Sequence, residues 1–92
     1  MRTFSKNNTE YFEFQLEGEK KTYRIPIAAS MPYSVLKKLR EASSDEQFPA
    51  QVNMLRKYMG DVVDDLSAGT LSDILRAWSD ESREAGASVG ES

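Results

Sequence analysis

One stretch of the chain matches a catalytic signature. Residues 86–90 spell Gly-Ala-Ser-Val-Gly, the G-x-S-x-G of the nucleophile elbow in α/β-hydrolases, which joins a strand to a helix and relies on a histidine base. Here residues 71–85 have a helical pattern, two residues follow the motif, and the chain has no histidine. We therefore interpret the match as chance and predict no catalytic residue.

A second group with chemical potential is the acidic cluster of Asp61, Asp64 and Asp65. On a helix, residues three and four apart are neighbours, so these carboxylates could in principle grip a hard cation. An EF-hand loop, however, needs acids at alternate positions around a central glycine, and this cluster lacks that pattern. We interpret the three acids as residues near a helix N-terminus, where they favour the helix dipole. No metal site is predicted.

The missing residue types narrow the function further. The 92-residue chain has no cysteine and no histidine, which excludes disulfides, thiolate catalysis and cysteine-based zinc sites and removes the commonest general base. Gly18, Gly60 and Gly69 are single and widely spaced, so no loop of the kind that cradles phosphate is predicted. Together these absences predict a protein that is not an enzyme and that uses no cofactor.

Charge is distributed unevenly along the chain. Residues 1–60 hold ten Lys/Arg against seven Asp/Glu, whereas residues 61–92 hold two against eight. The acidic C-terminal third would repel phosphate, and the basic residues of the first part come in isolated pairs, so nucleic acid is not the predicted partner. No run of about 18 apolar residues and no secretory signal are present. A cytoplasmic protein without a membrane span is therefore expected.

Residues 11–27 have the pattern of a β-hairpin. Two sets of apolar residues alternate with polar ones, namely Phe12, Phe14 and Leu16, and then Tyr23, Ile25 and Ile27. A glycine-containing turn at residues 17–21 separates them, which is typical of a hairpin. Pro26 cannot donate a hydrogen bond to a ladder, so the second strand is predicted to be an edge or to end there. An isolated hairpin is marginal in water, so helices must cover its apolar face.

Three or four helices are predicted after the hairpin. Residues 30–32 look like a helix start with a proline near the first position, and a second start lies between residues 45 and 49. An apolar stripe runs from residue 48 to 66 but is interrupted at Gly60, where a break is favoured over one continuous helix. Residues 70–73 resemble a capping box that opens the last helix.

These elements predict an α+β fold that is mainly α-helical, with an N-terminal β-hairpin packed on three to four helices. Residues 1–10 are predicted to be a flexible leader and residues 86–92 a flexible polar tail. Residues 11–85 form the single predicted domain.

The helix with the only tryptophan of the chain is the candidate for binding a partner. Its apolar residues recur at spacings of three and four and so share one face. The predicted partner-binding or self-association surface consists of Leu71, Ile74, Leu75 and Trp78, with Met59 and Val63 from the preceding stripe. The alternative is that the same residues form the core of the domain, although tryptophan at the rim of a core is a common interface anchor.

The order of these segments resembles the tail assembly chaperones of long-tailed bacteriophages (siphoviruses) and prophages. The resemblance covers roughly residues 12–92. It rests on Tyr23-Arg24-Ile25-Pro26, Leu36-Lys37-Lys38-Leu39, Leu55-Arg56-Lys57-Tyr58-Met59-Gly60-Asp61, Asp65-Leu66-Ser67-Ala68-Gly69-Thr70-Leu71, Leu75-Arg76-Ala77-Trp78 and Gly90-Glu91-Ser92. The most specific parts are the Gly-Asp step, the helix with Ala-Trp, and the Gly-Glu-Ser end.

The resemblance implies a non-enzymatic assembly factor. Such proteins bind the very long tape measure protein, prevent its aggregation and help to recruit tail tube subunits. Many are made in two forms, and the longer one, produced by a programmed ribosomal frameshift, carries an extra domain that engages the tube protein. This chain looks like the short form. Self-association, residence in the cytoplasm of the bacterial host and absence from the mature virion are also implied.

Two other functions remain open on the sequence alone. A small cytoplasmic adaptor or regulatory domain would bind its partner by adding a strand to the hairpin edge, and changes at Ile25 and Ile27 would then matter more than changes at Trp78. A DNA-binding protein would need a helix with clustered basic residues, for which residues 36–40 are the one candidate.

Overall fold

The computed structural model of the protein describes residues 1–3 and 10–90, with side chains described up to residue 84. In chain order the elements are β1 (Tyr11–Gln15), β2 (Thr22–Pro26), a 3₁₀ turn (Ala28–Ser30), α1 (Tyr33–Glu41), a 3₁₀ turn (Ser44–Glu46), α2 (Gln47–Met59), a 3₁₀ segment (Gly60–Asp65) and α3 (Ala68–Gly90). The predicted fold class is confirmed, since a hairpin precedes three α-helices in the described part of the chain.

The hairpin forms as its alternating pattern predicts. β1 and β2 pair antiparallel, with Phe14 opposite Tyr23. The turn between them requires Gly18, whose φ of +84° lies in the region that favours glycine. A row of aromatic rings strengthens the apolar face, because Phe14 stacks on Phe12 at 5.3 Å and on Tyr23 at 5.6 Å between ring centroids. β2 ends at Pro26, as predicted.

The connection from α1 to α2 is closed by one side chain. α2 begins at Gln47, within the predicted start region. The side-chain nitrogen Nε2 of Gln47 donates to the backbone oxygens of Leu39 and Ala42 at 2.9 and 2.8 Å. These carbonyls belong to the end of α1, where backbone acceptors lack helical partners, so Gln47 satisfies them and ties the two helices together.

The break favoured at Gly60 is confirmed. α2 ends at Met59, and a 3₁₀ segment follows in place of further α-helix. Gly60 has φ +83° and ψ −158°, a conformation that residues with a Cβ rarely adopt. The chain therefore changes direction at Gly60 before it enters α3.

The start of α3 differs from the prediction. The helix begins at Ala68, so the capping box predicted at residues 70–73 is wrong. Ser67 caps the helix instead: its hydroxyl oxygen accepts a hydrogen bond of 3.1 Å from the backbone N–H of Thr70. Gly69 lies in the first turn of the helix, where the cap at Ser67 offsets its low helix propensity.

The two ends of the predicted domain also differ from expectation. Glu10, assigned to the leader, is bound to the fold, because its N–H donates to the hydroxyl of Ser30 at 2.9 Å and its carbonyl accepts from Ile27 at 3.1 Å. At the other end, α3 continues through residues 86–90 of the predicted tail, where no proline interrupts the helix. Residues 4–9 and 91–92, predicted as leader and tail, lie outside the described residues.

The core lies between the hairpin and the helices. β2 packs on α2, α2 packs on α1, and α3 packs on the first 3₁₀ turn and on β1. The buried apolar residues that join them are Tyr23, Ile25, Met31, Leu39, Met54, Leu55, Met59, Val63, Leu71, Leu75 and Trp78. The hairpin is thus covered by helices from one side, as its instability in isolation requires.

Candidate partner-binding surfaces

The predicted partner-binding face belongs mainly to the core. Five of its six residues are at most 7% exposed, namely Met59, Val63, Leu71, Leu75 and Trp78. Ile74 is half-buried and packs against the same cluster. The structure therefore brings all six residues together, but it leaves them little surface to offer a partner while the chain is folded. Their apolar stripe is explained by burial against the hairpin and α2.

Trp78 and Ser82 hold α3 to the hairpin through two hydrogen bonds that we call the clasp. The indole N–H of Trp78 donates to the carbonyl of Pro26 at 2.8 Å, and the hydroxyl of Ser82 accepts from the N–H of Ala28 at 3.0 Å. Residues four apart lie on the same face of a helix, so the two side chains reach two backbone groups that flank Ile27. The clasp satisfies polar groups that burial would otherwise leave unpaired.

The role of Ser82 in the clasp is not predicted by the sequence pattern. Its one signal is its position, one helical turn after Trp78 on the buried stripe, between the charged residues Glu81 and Arg83. A serine at such a place is as compatible with a solvated surface as with a buried hydrogen bond. Its 9% exposure and its partner in the hairpin become visible only when the two elements are brought together.

The clearest open surface is a groove between α1 and α2, here called the α1–α2 groove. Its volume is about 260 Å³. The apolar part of its lining consists of Val35, Leu39, Ala50 and Met54, and the polar part consists of Ser34, Lys38, Asn53 and Lys57. Leu39 and Met54 are buried side chains of the core, so the floor of the groove is the outer side of the core itself.

A shallower depression lies between α2 and α3. It measures about 250 Å³ and is lined by Phe48, Gln51, Ser72, Leu75, Arg76 and Ser79. Phe48 is 39% exposed there, more than its place on the apolar stripe predicts. The depression is more open than the α1–α2 groove and has fewer apolar walls. We regard it as the weaker candidate for binding.

The outer edge of β1 is a third surface that a partner could use. The N–H of Ile27 donates to the carbonyl of Glu10, so these two residues form a hydrogen-bonded pair of the antiparallel ladder. Along such a ladder, hydrogen-bonded pairs alternate with pairs that have no hydrogen bond between them. By that alternation, the backbone groups that point away from β2 belong to Tyr11, Glu13 and Gln15. The two-stranded sheet has no further strand among the described residues, so this edge keeps its donors and acceptors unpaired within the sheet.

One buried polar atom has no partner in the described structure. The hydroxyl of Tyr58, on α2, is inaccessible to solvent and forms no hydrogen bond. Burial raises the pKa of Tyr58 above its usual value, and the nearby Tyr11 adds to the shift. A neutral hydroxyl left without a partner in this place costs stability.

The acidic cluster and the G-x-S-x-G motif lie in places that differ from those their chemistry requires. Asp61, Asp64 and Asp65 are exposed, and Asp64 pairs with the guanidinium of Arg56. No cluster of acids among the described residues could hold a metal ion. The G-x-S-x-G motif at residues 86–90 lies within α3 and follows helix instead of a strand. The interpretation of that motif as chance therefore agrees with the fold around it.

Within the described residues, no helix combines the length and the apolar character needed to cross a membrane. Comparison with known proteins yields no match to a family model, to a curated protein or to a solved structure.

Proposed function

We propose that this protein is a non-enzymatic tail assembly chaperone of a long-tailed phage or prophage. It binds the tape measure protein in the cytoplasm of the bacterial host, prevents its aggregation and helps to recruit tail tube subunits through a longer, frameshifted form. Self-association and absence from the mature virion belong to the same proposal.

The observation that carries this proposal is the α1–α2 groove. A chaperone of helical chains must offer apolar surface to a client without losing its own fold. The apolar lining of the groove is backed by core residues such as Leu39 and Met54 and is rimmed by lysines, so the surface is both apolar and soluble. The segments on which the resemblance rests also occupy defined places: Pro26 ends β2, Gly60 ends α2, and Trp78 lies in the clasp.

The burial of the tryptophan face favours a different contact surface for the client. Trp78, Leu71 and Leu75 are committed to the core, and freeing them for a client would break the clasp. The α1–α2 groove needs no such opening. We therefore assign client binding to the groove and a structural role to the tryptophan helix.

The test begins with the DNA around and beyond the codon for Ser92. A slippery sequence there, an overlapping second frame and a very long helical reading frame nearby are expected. The product of that long frame should be insoluble when expressed alone and soluble when expressed with this protein. A long frame whose product stays insoluble in the presence of the protein would refute the proposal.

A second candidate function is a small adaptor or regulatory domain that binds a partner through the hairpin edge. The unpaired backbone groups of β1 favour it. Its signature would be sensitivity to Glu13→Pro, which removes an outward N–H without removing a hydrogen bond to β2. A partner lost by Glu13→Pro but kept by groove variants would place the adaptor function first.

A further inference from the structure

The α1–α2 groove extends beyond the deep part described above. A second, more open depression continues it toward the start of α2, and the two share Lys38, Ala50 and Asn53. The continuous trough runs from Ser34 and the C-terminal end of α2 to the point where α1 ends. Its length is close to that of α1, which has nine residues and therefore spans roughly 13 Å.

Charge changes sign along this trough. Lys57 lies at one end and Lys38 near the middle, whereas Glu41 and Glu46 lie at the other end. Glu41 is 3.8 Å from Lys37. Lys57, Lys38 and Glu46 form no ion pair among the described residues, so their charges are available to a ligand. The trough therefore has a basic end and an acidic end.

The walls of the trough determine what kind of chain it can accept. Both walls are helices, whose backbone N–H and C=O groups are already paired, so an extended segment would find no backbone partners there. A helical segment satisfies its own backbone and can insert side chains between the walls. The deep part of the groove, at about 260 Å³, is also smaller than the roughly 300 Å³ at the lower end of small-molecule sites.

We propose that the trough binds one amphipathic helical segment in a single direction. The segment carries an acidic residue over Lys57 and Lys38, an apolar stripe of two or three turns over Val35 and Ala50, and a basic residue toward Glu46. This inference rests on the proposed function, which supplies the tape measure protein as the source of such helices. It adds the sequence pattern that the client segments must share and the direction in which they lie.

Opposite charges at the two ends give the direction. A helix bound the other way would place its acid beside Glu41 and Glu46 and its base beside the two lysines. Like charges brought together at an interface oppose binding, so the reversed orientation is disfavoured at both ends. Segments with the same apolar stripe but reversed charges should therefore bind weakly.

The test uses labelled 20-residue peptides that together cover the tape measure reading frame, titrated with the full chain in fluorescence anisotropy. Peptides with an acid–apolar–base pattern should bind, and their affinity for the double variant Lys38→Glu/Lys57→Glu should be at least tenfold lower. The control, Lys20→Glu/Lys21→Glu, makes the same change of charge in the hairpin turn and should bind as the unmodified protein does. Circular dichroism should show that both variants are folded.

A charge-exchange peptide separates electrostatic recognition from loss of the groove. A binding peptide whose acidic residues are replaced with lysine should no longer bind the unmodified protein. The same peptide should bind the double variant Lys38→Glu/Lys57→Glu. Equal binding to both double variants, or binding without regard to the order of charges, would overturn the trough inference. The chaperone function would still stand if co-expression kept the tape measure protein soluble, and it would fall with the inference if it did not.

Discussion

Replacement of Trp78 with phenylalanine tests whether the tryptophan helix is a structural element or an exposed contact. Trp78 is 7% exposed, and its indole N–H donates to the Pro26 carbonyl at 2.8 Å. Phenylalanine keeps an aromatic ring in the core but removes the donor. The buried carbonyl then loses its partner, and the smaller ring leaves unfilled space.

The magnitude follows from these two losses. A buried polar group left without its hydrogen bond costs about 1–3 kcal/mol, and the reduced ring adds about 1 kcal/mol for the space it leaves. We therefore expect Trp78→Phe to lower the free energy of unfolding by roughly 2–4 kcal/mol. For a domain of this size that corresponds to a fall in Tm of roughly 10–25 °C.

Urea and thermal unfolding followed by far-ultraviolet circular dichroism provide the measurement, since the variant lacks the fluorescent indole. Tyr33→Phe is the matched control, because Tyr33 is 71% exposed and forms neither hydrogen bond of the clasp. It should change the free energy of unfolding by less than about 0.5 kcal/mol. A loss below about 1 kcal/mol for Trp78→Phe would refute the structural role argued for the clasp.

Three further pairs of measurements test the packing. Ser82→Ala removes the acceptor of the second clasp hydrogen bond and should cost about 1–3 kcal/mol in urea unfolding, whereas Ser79→Ala on the same helix should cost less than about 0.5 kcal/mol; equal effects would contradict the clasp. In Gly60→Ala the added methyl group has space, but alanine rarely adopts the positive φ of this residue, so the free energy of unfolding should fall by about 1–3 kcal/mol. Gly69→Ala in helix α3 should raise the free energy of unfolding by about 0.5–1 kcal/mol. Tyr58→Phe removes a buried, unpaired hydroxyl and should be neutral or stabilising by about 1 kcal/mol. Because burial raises the pKa of Tyr58 above 10.0, the folded chain holds the phenolic proton more tightly, so stability should decline as pH rises above about 10; the decline should be smaller in Tyr58→Phe, and identical alkaline profiles would contradict this assignment.

The sequence was most informative where local pattern and turn chemistry agree. The alternation of Phe12, Phe14 and Leu16, the glycine turn and Pro26 together predict the hairpin and its end, because each acts over a few neighbouring residues. The break at Gly60 is predictable for the same reason, since glycine can adopt a positive φ that other residues avoid.

The helix ends and the surfaces were less predictable because they depend on competition and tertiary contact. Ser67 and Thr70 are both acceptable N-caps, and their order in the chain does not say which one the helix uses. The apolar stripe of α3 shows that one face is buried against something, but not whether the hairpin or a partner covers it. The charge gradient of the trough is assembled from α1, the 3₁₀ turn that ends at Glu46, and α2, and it becomes visible only when these elements pack together.

The clasp also places a constraint on how the chain is made. Pro26 and Trp78 are separated by 52 positions, and the ribosome adds about 5–20 residues per second, so the hairpin leaves the ribosome roughly 3–10 s before its covering helix. Until α3 is made, the part of the hairpin that α3 covers stays open to other chains in the polysome, although α2 can already pack on β2. The hairpin is therefore the segment most exposed to aggregation during synthesis, and docking of α3 completes the cover of its apolar face but leaves the edge of β1 open.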